Sequence, residues 1–578
     1  MLNTVKPRRF AYILARRSPP CTRLIHSTAE HADILIVGGG PAGLALATAL
    51  GSSKRVAENC RVVLVEAGDL SRVKAWSQPE GTYSNRVSSI TNASRSFLQK
   101  IGGWAEVDES RTAPVEEMQV WDGISDARIV FSAAEIFPGQ AKPELSRLTE
   151  NLNLQRGLLR KLSSSPNVTL LDKVKVQYIS PDDSENGNNW PLVHLSDGRV
   201  IRTRLLVGAD GFNSPVRAYA GIESFGWAYD THAVVATLNH APRGPFEPPN
   251  TTAYQRFLPT GPIAFLPLSE TSSSLVWSTK PHLASALKAV DPSVLAGMIN
   301  AAFRLPEVSV RYLHDRLLEA QGSGEPFSIE QLREEIAFRE RSHSIDVRSA
   351  YHVSSSLTSN TASGGIPPDD ADQLPPVVQS IQAGTIAFFP LRFSHASSYI
   401  GGTDPNTRSR TVLIGDAAHT IHPLAGQGLN LGLGDAQSLA AAISTAVSSG
   451  QDVGSYTALL PYSRERYLEN HKMLSAVDKL HKLYGNTADP VVWARSVGLE
   501  VVNELDSVKA ALMISAGSTD ETGVNRVGLG IVAAKGVESV ARSLDGVRQV
   551  AEGLGGVIGA GVNQLLKSAT GGMRRPPQ

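Results

Sequence analysis

The feature that most constrains this chain is the hexapeptide Gly38-Gly39-Gly40-Pro41-Ala42-Gly43, set directly after a short apolar run, residues 32–37, rich in branched side chains. Such a run reads as a buried strand, and the hexapeptide as the turn that opens a helix. Gly38 permits the tight turn, Gly40 lets the backbone approach a pyrophosphate, and Gly43 lets helix and strand pack closely. Pro41 falls in the first helical turn, where a missing donor costs nothing. The helix start then offers free amides and a positive dipole end to phosphate. A second apolar run, residues 61–65, ends in Glu66, near the spacing at which a carboxylate bonds a ribose hydroxyl. Strand, motif, helix, strand and acid in this order predict a dinucleotide-binding α/β unit. A glycine-rich turn in an unrelated α/β domain is the alternative.

Two later segments repeat the theme of a short strand ending in glycine and aspartate. Residues 205–207 lead into Gly208-Ala209-Asp210-Gly211, and residues 411–414 into Gly415-Asp416-Ala417-Ala418-His419. Each alone is a strand-end turn. Together with the first motif they resemble the class A flavoprotein monooxygenases, the aromatic hydroxylases related to p-hydroxybenzoate hydroxylase.

That resemblance implies FAD as the cofactor. It places the segment of Asp210 against FAD and NAD(P)H, and the carboxylate of Asp416, after Gly415, on the ribityl chain. It continues through His422-Pro423-Leu424-Ala425-Gly426-Gln427-Gly428-Leu429-Asn430. There it sets Pro423 beside the flavin, and Gly426, Gln427, Gly428, Leu429 and Asn430 at a loop–helix junction under the isoalloxazine ring. Amides at such a junction stabilise negative charge on the flavin. By position, Arg86 matches an arginine near FAD and Gln155 a glutamine near the pyrophosphate. The plainer readings, a surface arginine and a solvated glutamine, stay open.

Outside the cofactor motifs, Gly226-Trp227-Ala228-Tyr229-Asp230, residues 232–238 and 253–268, Pro390-Leu391-Arg392 and a helical stretch at 462–484 resemble the ubiquinone-biosynthesis hydroxylases. The similarity runs over about residues 30–515 and is to the mitochondrial branch that hydroxylates ring position C5. It implies hydroxylation by O2 of a polyprenylated 4-hydroxybenzoate-type ring through a flavin C4a-hydroperoxide. It also implies electrons from a ferredoxin and its reductase, or from NADPH, and association with other proteins of a ubiquinone-synthesis complex. Because the cofactor carries the hard chemistry, no catalytic side chain is assigned and no metal is expected. His419 and His422 stand at i, i+3, but within the flavin motif. A different aromatic or isoprenoid substrate, or a mainly structural part in such a complex, are the other readings.

The 578 residues, 42% of them apolar, suffice for more than one core, and 55 basic residues balance 55 acidic ones. No polyanion-binding field is implied, and nucleic acid is not an expected partner. Residues 1–29 hold Lys6, Arg8, Arg9, Arg16, Arg17 and Arg23 and no acid, the composition of a mitochondrial transit peptide. With Cys21 in that leader, Cys60 stands alone as a small core hydrophobe. No stretch is apolar enough to span a bilayer, so inner-membrane contact on the matrix side is expected to be peripheral.

The expected fold is therefore α/β: a Rossmann-like FAD-binding domain assembled from residues 30–110, 145–222 and 385–450, with an interleaved α+β substrate domain from 111–144 and 223–384. The stretch 257–268 reads as one strand lining a substrate chamber. Residues 358–376, rich in Ser, Pro, Gly and Asp, read as a mobile insertion. A helical extension, 451–516, and an amphipathic or flexible tail, 517–578, complete the chain.

Overall fold

The computed structural model describes residues 29–183, 190–353, 368–402, 407–423 and 426–505, with Lys509 and Leu512. The basic leader, the tail at 517–578 and most of the expected insertion lie outside them.

A seven-stranded sheet is built from β1 (Glu30–Val37), β2 (Val62–Val65), β8 (Val168–Leu171), β9 (Val176–Pro181), β10 (Pro191–Leu195), β11 (Val200–Gly208) and β18 (Thr411–Leu413). β1 lies between β2 and β11, parallel to both, and β18 runs parallel to the last residues of β11. The four residues of β2 and the last four of β1 are buried, the continuous apolar pattern of strands covered on both faces. The helix Pro41–Ser52 carries only small and aliphatic side chains on its buried residues, so it lies close to the sheet.

A nine-stranded sheet has the order β19 (His419–Thr420), β17 (Ala387–Ala396), β12 (Ser224–His240), β15 (Ser272–Thr279), β14 (Gly261–Pro267), β13 (Thr252–Leu258), β5 (Glu117–Asp122), β6 (Arg128–Ser132), with β16 (Val378–Ile381) beside β12. One face carries Val234, Leu275, Trp277, Ile263 and Phe265 into a core with the helices Pro281–Ala289, Pro292–Arg304, Glu307–Ser323 and Ile329–Ser342. The opposite face is covered in three places. The small sheet β3 (Val87–Thr91), β7 (Ser146–Glu150) and β4 (Thr112–Val115) packs on Ala253, Met118 and Leu266. The helix Tyr456–Tyr484 brings Leu474 and Val477 onto Ala233, Leu391 and Phe393, where Ile421 and Leu431 join them. Its last residue, Tyr484, with Leu499 and Val502 of the helix Asp489–Asn503, covers Phe257, Val120 and Ile129.

Three local expectations change. The stretch 257–268 is a hairpin, β13 and β14, rather than one strand. Pro259 has no amide for a ladder, and Gly261 turns the chain at φ +137° where a β-carbon would meet the Ser278 carbonyl oxygen at 2.2 Å. The strand Ala387–Ala396, expected with the FAD-binding pieces, pairs with β12 in the nine-stranded sheet. The described end of the expected insertion, 368–376, is tied down: Tyr254 donates to the Asp372 carbonyl at 3.2 Å, Arg304 to that of Pro375, and Leu374 is buried. Cys60 is buried and unpaired in the seven-stranded sheet's core, and burial raises its thiol pKa.

Candidate cofactor and active site

The three glycine motifs, distant in sequence, stand side by side. Val37 pairs with Gly208 and Gly208 with Leu413, so the turns at Gly38, Gly208 and Gly415 leave the carboxyl ends of three adjacent parallel strands. Glu66 leaves the fourth, because Val37 also pairs with Val65. Ligands of open α/β sheets bind at this edge. The physical cause is register: each strand stops where its glycine begins, and the loops turn into the same crevice.

Within the first loop, Gly38 sits at φ +111°, and a β-carbon there would lie 2.2 Å from the Ala209 carbonyl oxygen. Gly43 meets the Gly38 carbonyl oxygen at 2.0 Å in the same test, whereas the space beside Gly40 is open. The amides of Gly39 and Gly68 donate to the two Glu66 carboxylate oxygens at 2.5 and 2.6 Å, which pins the acid beside the glycine loop.

Asp210 accepts from the Val216 amide at 3.2 Å through Oδ2, while its buried Oδ1 has no partner among the described residues. Burial raises its pKa against the hydrogen bonds and Arg217, which lower it. The Asp416 side chain is open to solvent but ringed by protein, as at the floor of a cleft; burial raises its pKa, and His419 opposes the shift. Ala42 and Gly432 lie within van der Waals range of Gly415, which brings the Gly415-Asp416 turn against the starts of the helices Pro41–Ser52 and Gly428–Ser448.

Pro423 and Gly426 flank residues outside the described set. Asn430 fixes the junction after them: its amide donates to the carbonyl oxygens of Ser89 at 2.8 Å and Gly426 at 3.3 Å, and accepts from the Thr91 amide at 3.1 Å. Gln427 is buried, Leu429 packs on the main core, and Gly428 lies beside Ile421. Arg86 is exposed just before β3, with its carbonyl bonded by the Asn151 amide at 3.0 Å. Gln155 is half-buried on the helix Asn151–Ser163.

One part of the site escapes the motifs. Asp435, fully buried, accepts from the Gly415 amide at 3.0 Å, His419 Nε2 at 2.7 Å, Arg466 Nε at 2.9 Å and Asn470 Nδ2 at 2.9 Å. Burial alone would raise its pKa, but His419, Arg466 and Asn470 together hold it well below the carboxylate range. A single acid among the leucines and glycines of Leu429–Leu439 was the available signal, and its partners some thirty residues on were not.

An orphaned carboxylate oxygen, an open space at Gly40 and an accessible acid in a cleft fit a dinucleotide with hydroxyl donors and a pyrophosphate. The chain matches the family model for an FAD binding domain over residues 31–321 and 346–477. By fold it is similar to p-nitrophenol 4-monooxygenase PnpA of Pseudomonas putida, with TM-score 0.55 and 17% identity over 84% of this chain and 99% of that one. It is likewise similar to PqsL, a probable FAD-dependent monooxygenase of Pseudomonas aeruginosa, with TM-score 0.52 and 21% identity over 81% and 99%. The chain is an FAD-dependent aromatic monooxygenase. It is 37% identical to the mitochondrial ubiquinone biosynthesis monooxygenase COQ6 of Schizosaccharomyces pombe, over 82% of this chain and 90% of the relative. The human protein of the same name is 36% identical over 84% and 92%. This chain belongs to that ubiquinone-biosynthesis monooxygenase family.

Proposed function

We propose that this protein hydroxylates position C5 of a polyprenylated 4-hydroxybenzoate-type ring in mitochondrial ubiquinone biosynthesis. The observation that carries the cofactor half of this reading is the meeting of Gly38, Glu66, Asp210 and Asp416 at one sheet edge. The substrate half rests on similarity to relatives whose names state ubiquinone biosynthesis and a mitochondrial location. Among the described residues no helix is long and apolar enough to cross a membrane. Peripheral contact on the matrix side of the inner membrane is the proposed location. Ferredoxin with its reductase is the proposed electron source, and other ubiquinone-synthesis proteins the proposed companions.

When bound, FAD supplies the reduction of O2 and the transfer of one oxygen atom to the ring. The chain's own residues bind and orient. The amides after Gly38 and at the start of the helix Pro41–Ser52 meet the pyrophosphate. Glu66 takes a ribose hydroxyl, Asp416 the ribityl chain, and Asp210 offers its unpartnered oxygen to a donor on the cofactor. Arg86 and Gln155 are assigned the flanks of the same crevice. Pro423, Gly426 and the amides of Gln427, Gly428, Leu429 and Asn430 border the flavin ring, where the helix start favours negative charge.

The test is mass spectrometry of quinone intermediates in a strain lacking this gene, complemented with wild type or Asp416→Ala. Accumulation of the C5-unhydroxylated precursor in the deletion, relieved by wild type and not by the variant, is expected. Absence of that precursor, or purified protein that takes up no FAD, defeats the reading. Reconstitution with NADPH alone against ferredoxin plus reductase decides the electron source.

A further inference from the structure

A cavity holding about 400 Å³ of empty space opens where the turn between β13 and β14 meets the end of the helix Tyr456–Tyr484. Its wall is apolar: Phe257 and Tyr484 line it, stacked with ring centroids 3.9 Å apart. Its polar lining consists of donors. Lys280 stands just after β15, Thr231 in the bulge of β12, Thr260 in the turn and His481 near the end of the helix. Among the described residues no acid lines the cavity.

Two of these donors are unanswered. Thr231 is 3% exposed, and its hydroxyl, like that of Thr260, is buried without a hydrogen-bond partner among the described residues. A buried hydroxyl left unpaired costs free energy, so two of them on one cavity, beside an ammonium, point to an acceptor from outside the chain. Among the described residues Lys280 pairs only with Asp230, at 3.1 Å, and the Asp230 side chain is 79% exposed. Such a surface pair is worth little and yields to a better acceptor. The other acid nearby, Asp478, is already taken by Lys482 at 2.7 Å and the Tyr229 hydroxyl at 3.1 Å. An ammonium, two hydroxyls and an imidazole suit an oxyanion with several acceptor oxygens. The mouth of the cavity indicates what carries that oxyanion. Leu480 and Leu483, each one residue before a lining residue, are exposed, as are Lys479 and Lys482. Trp493, 67% exposed, lies near the start of the next helix, which Arg495 ties to the Leu483 carbonyl at 2.9 Å. Exposed aliphatic and indole side chains interleaved with lysines fit the boundary between lipid headgroups and acyl chains.

We propose that this cavity binds the phosphate of an anionic phospholipid headgroup and seats the end of the helix Tyr456–Tyr484 on a lipid surface. The inference rests on the peripheral-contact reading above and names the surface and the residues that make the contact. Lys280 and the hydroxyls of Thr231 and Thr260 hold the phosphate oxygens, and His481 donates beside them. Leu480, Leu483 and Trp493 enter the acyl boundary.

The experiment sediments full-length, FAD-loaded enzyme with phosphatidylcholine vesicles that contain or lack phosphatidylglycerol. Wild type is expected to partition about tenfold more strongly onto the anionic vesicles. The double variant Lys280→Gln, Thr231→Val is expected to lose most of that preference while keeping FAD content and melting temperature; Lys280→Gln alone serves if the double variant does not fold. Lys54→Gln, which removes an exposed lysine of the helix Lys54–Asn59, is expected to bind as wild type does. Wild type that partitions equally onto both vesicle types, or a double variant that binds the anionic vesicles as wild type does, overturns the site and leaves peripheral contact to another face. Wild type that stays in solution with both vesicle types overturns the peripheral-contact reading, and this site with it. A melting temperature that inorganic phosphate raises in wild type but not in the double variant, with equal vesicle binding by the two proteins, gives the cavity to a soluble phosphate and overturns the lipid assignment.

Discussion

At the scale of single residues, Gly38 and Gly40 do different work although both belong to one motif. Gly38 is required by the fold itself, since φ +111° and a β-carbon 2.2 Å from the Ala209 carbonyl oxygen exclude any side chain. Gly38→Ala is therefore expected to destabilise the protein even without FAD, by at least about 2 kcal/mol in urea titration. Gly40 has open space at its β-position. Gly40→Ala should leave the melting temperature of FAD-free protein unchanged and weaken FAD binding at least about tenfold, because the methyl occupies the place of the cofactor. Equal losses of FAD-free stability in both variants contradict this division. His314 makes a pH prediction. Buried beside Trp277 with no partner for Nε2, its pKa is pushed down by burial to about 4. The unfolded chain, with a pKa near 6.5, takes up the proton first. This contribution is thus full above about pH 6.5 and fades as pH falls toward 4, on the order of 3 kcal/mol in all. His314→Phe should flatten the stability curve in that window, measured by denaturant titration at successive pH values.

At the scale of elements, two buried ionic clusters fix how helices meet sheets. Asp435 joins the helix Gly428–Ser448 to the turn at Gly415 and to Arg466 and Asn470 on the helix Tyr456–Tyr484. Arg495 holds the helix Asp489–Asn503 to β5 by two bonds to Asp122, at 2.9 and 3.0 Å, and caps the carbonyls of Leu483 and Asn486. Removing one partner strands a buried charge, at a cost of about 3–5 kcal/mol. Asp122→Ala is expected to lose that much and to speed amide hydrogen exchange across 489–503 before the seven-stranded sheet is affected. Uniform exchange in the variant contradicts a local role. The hairpin at 259–262 teaches a related lesson. An apolar run reads as one strand until a proline and a left-handed glycine are allowed to break it, and only the pairing of both halves shows that they do.

At the scale of the whole molecule, the chain leaves the seven-stranded sheet after β2, returns at β8, leaves again after β11 and comes back for β18. The cofactor edge is complete only when all these returns have been made. FAD that binds this edge and not the unfolded chain should stabilise the protein by about 2.7 kcal/mol at a hundredfold excess over Kd. The melting temperature is expected to rise with FAD concentration and to stop rising in Asp416→Ala; a wild-type melting temperature insensitive to FAD would speak against the cradle.

The glycine loops, the acids that follow strands and the cofactor class they define were legible in the amino-acid order, because strand, turn and helix start are local events within about ten residues. The same order carried Asp435 without any sign of its partners. Asp435 meets Gly415 and Arg466 across 20 and 31 positions. Burial and register belong to the packed chain: whether a polar side chain is satisfied or orphaned depends on which strands pair and which faces are covered, and that was decided by the tertiary structure.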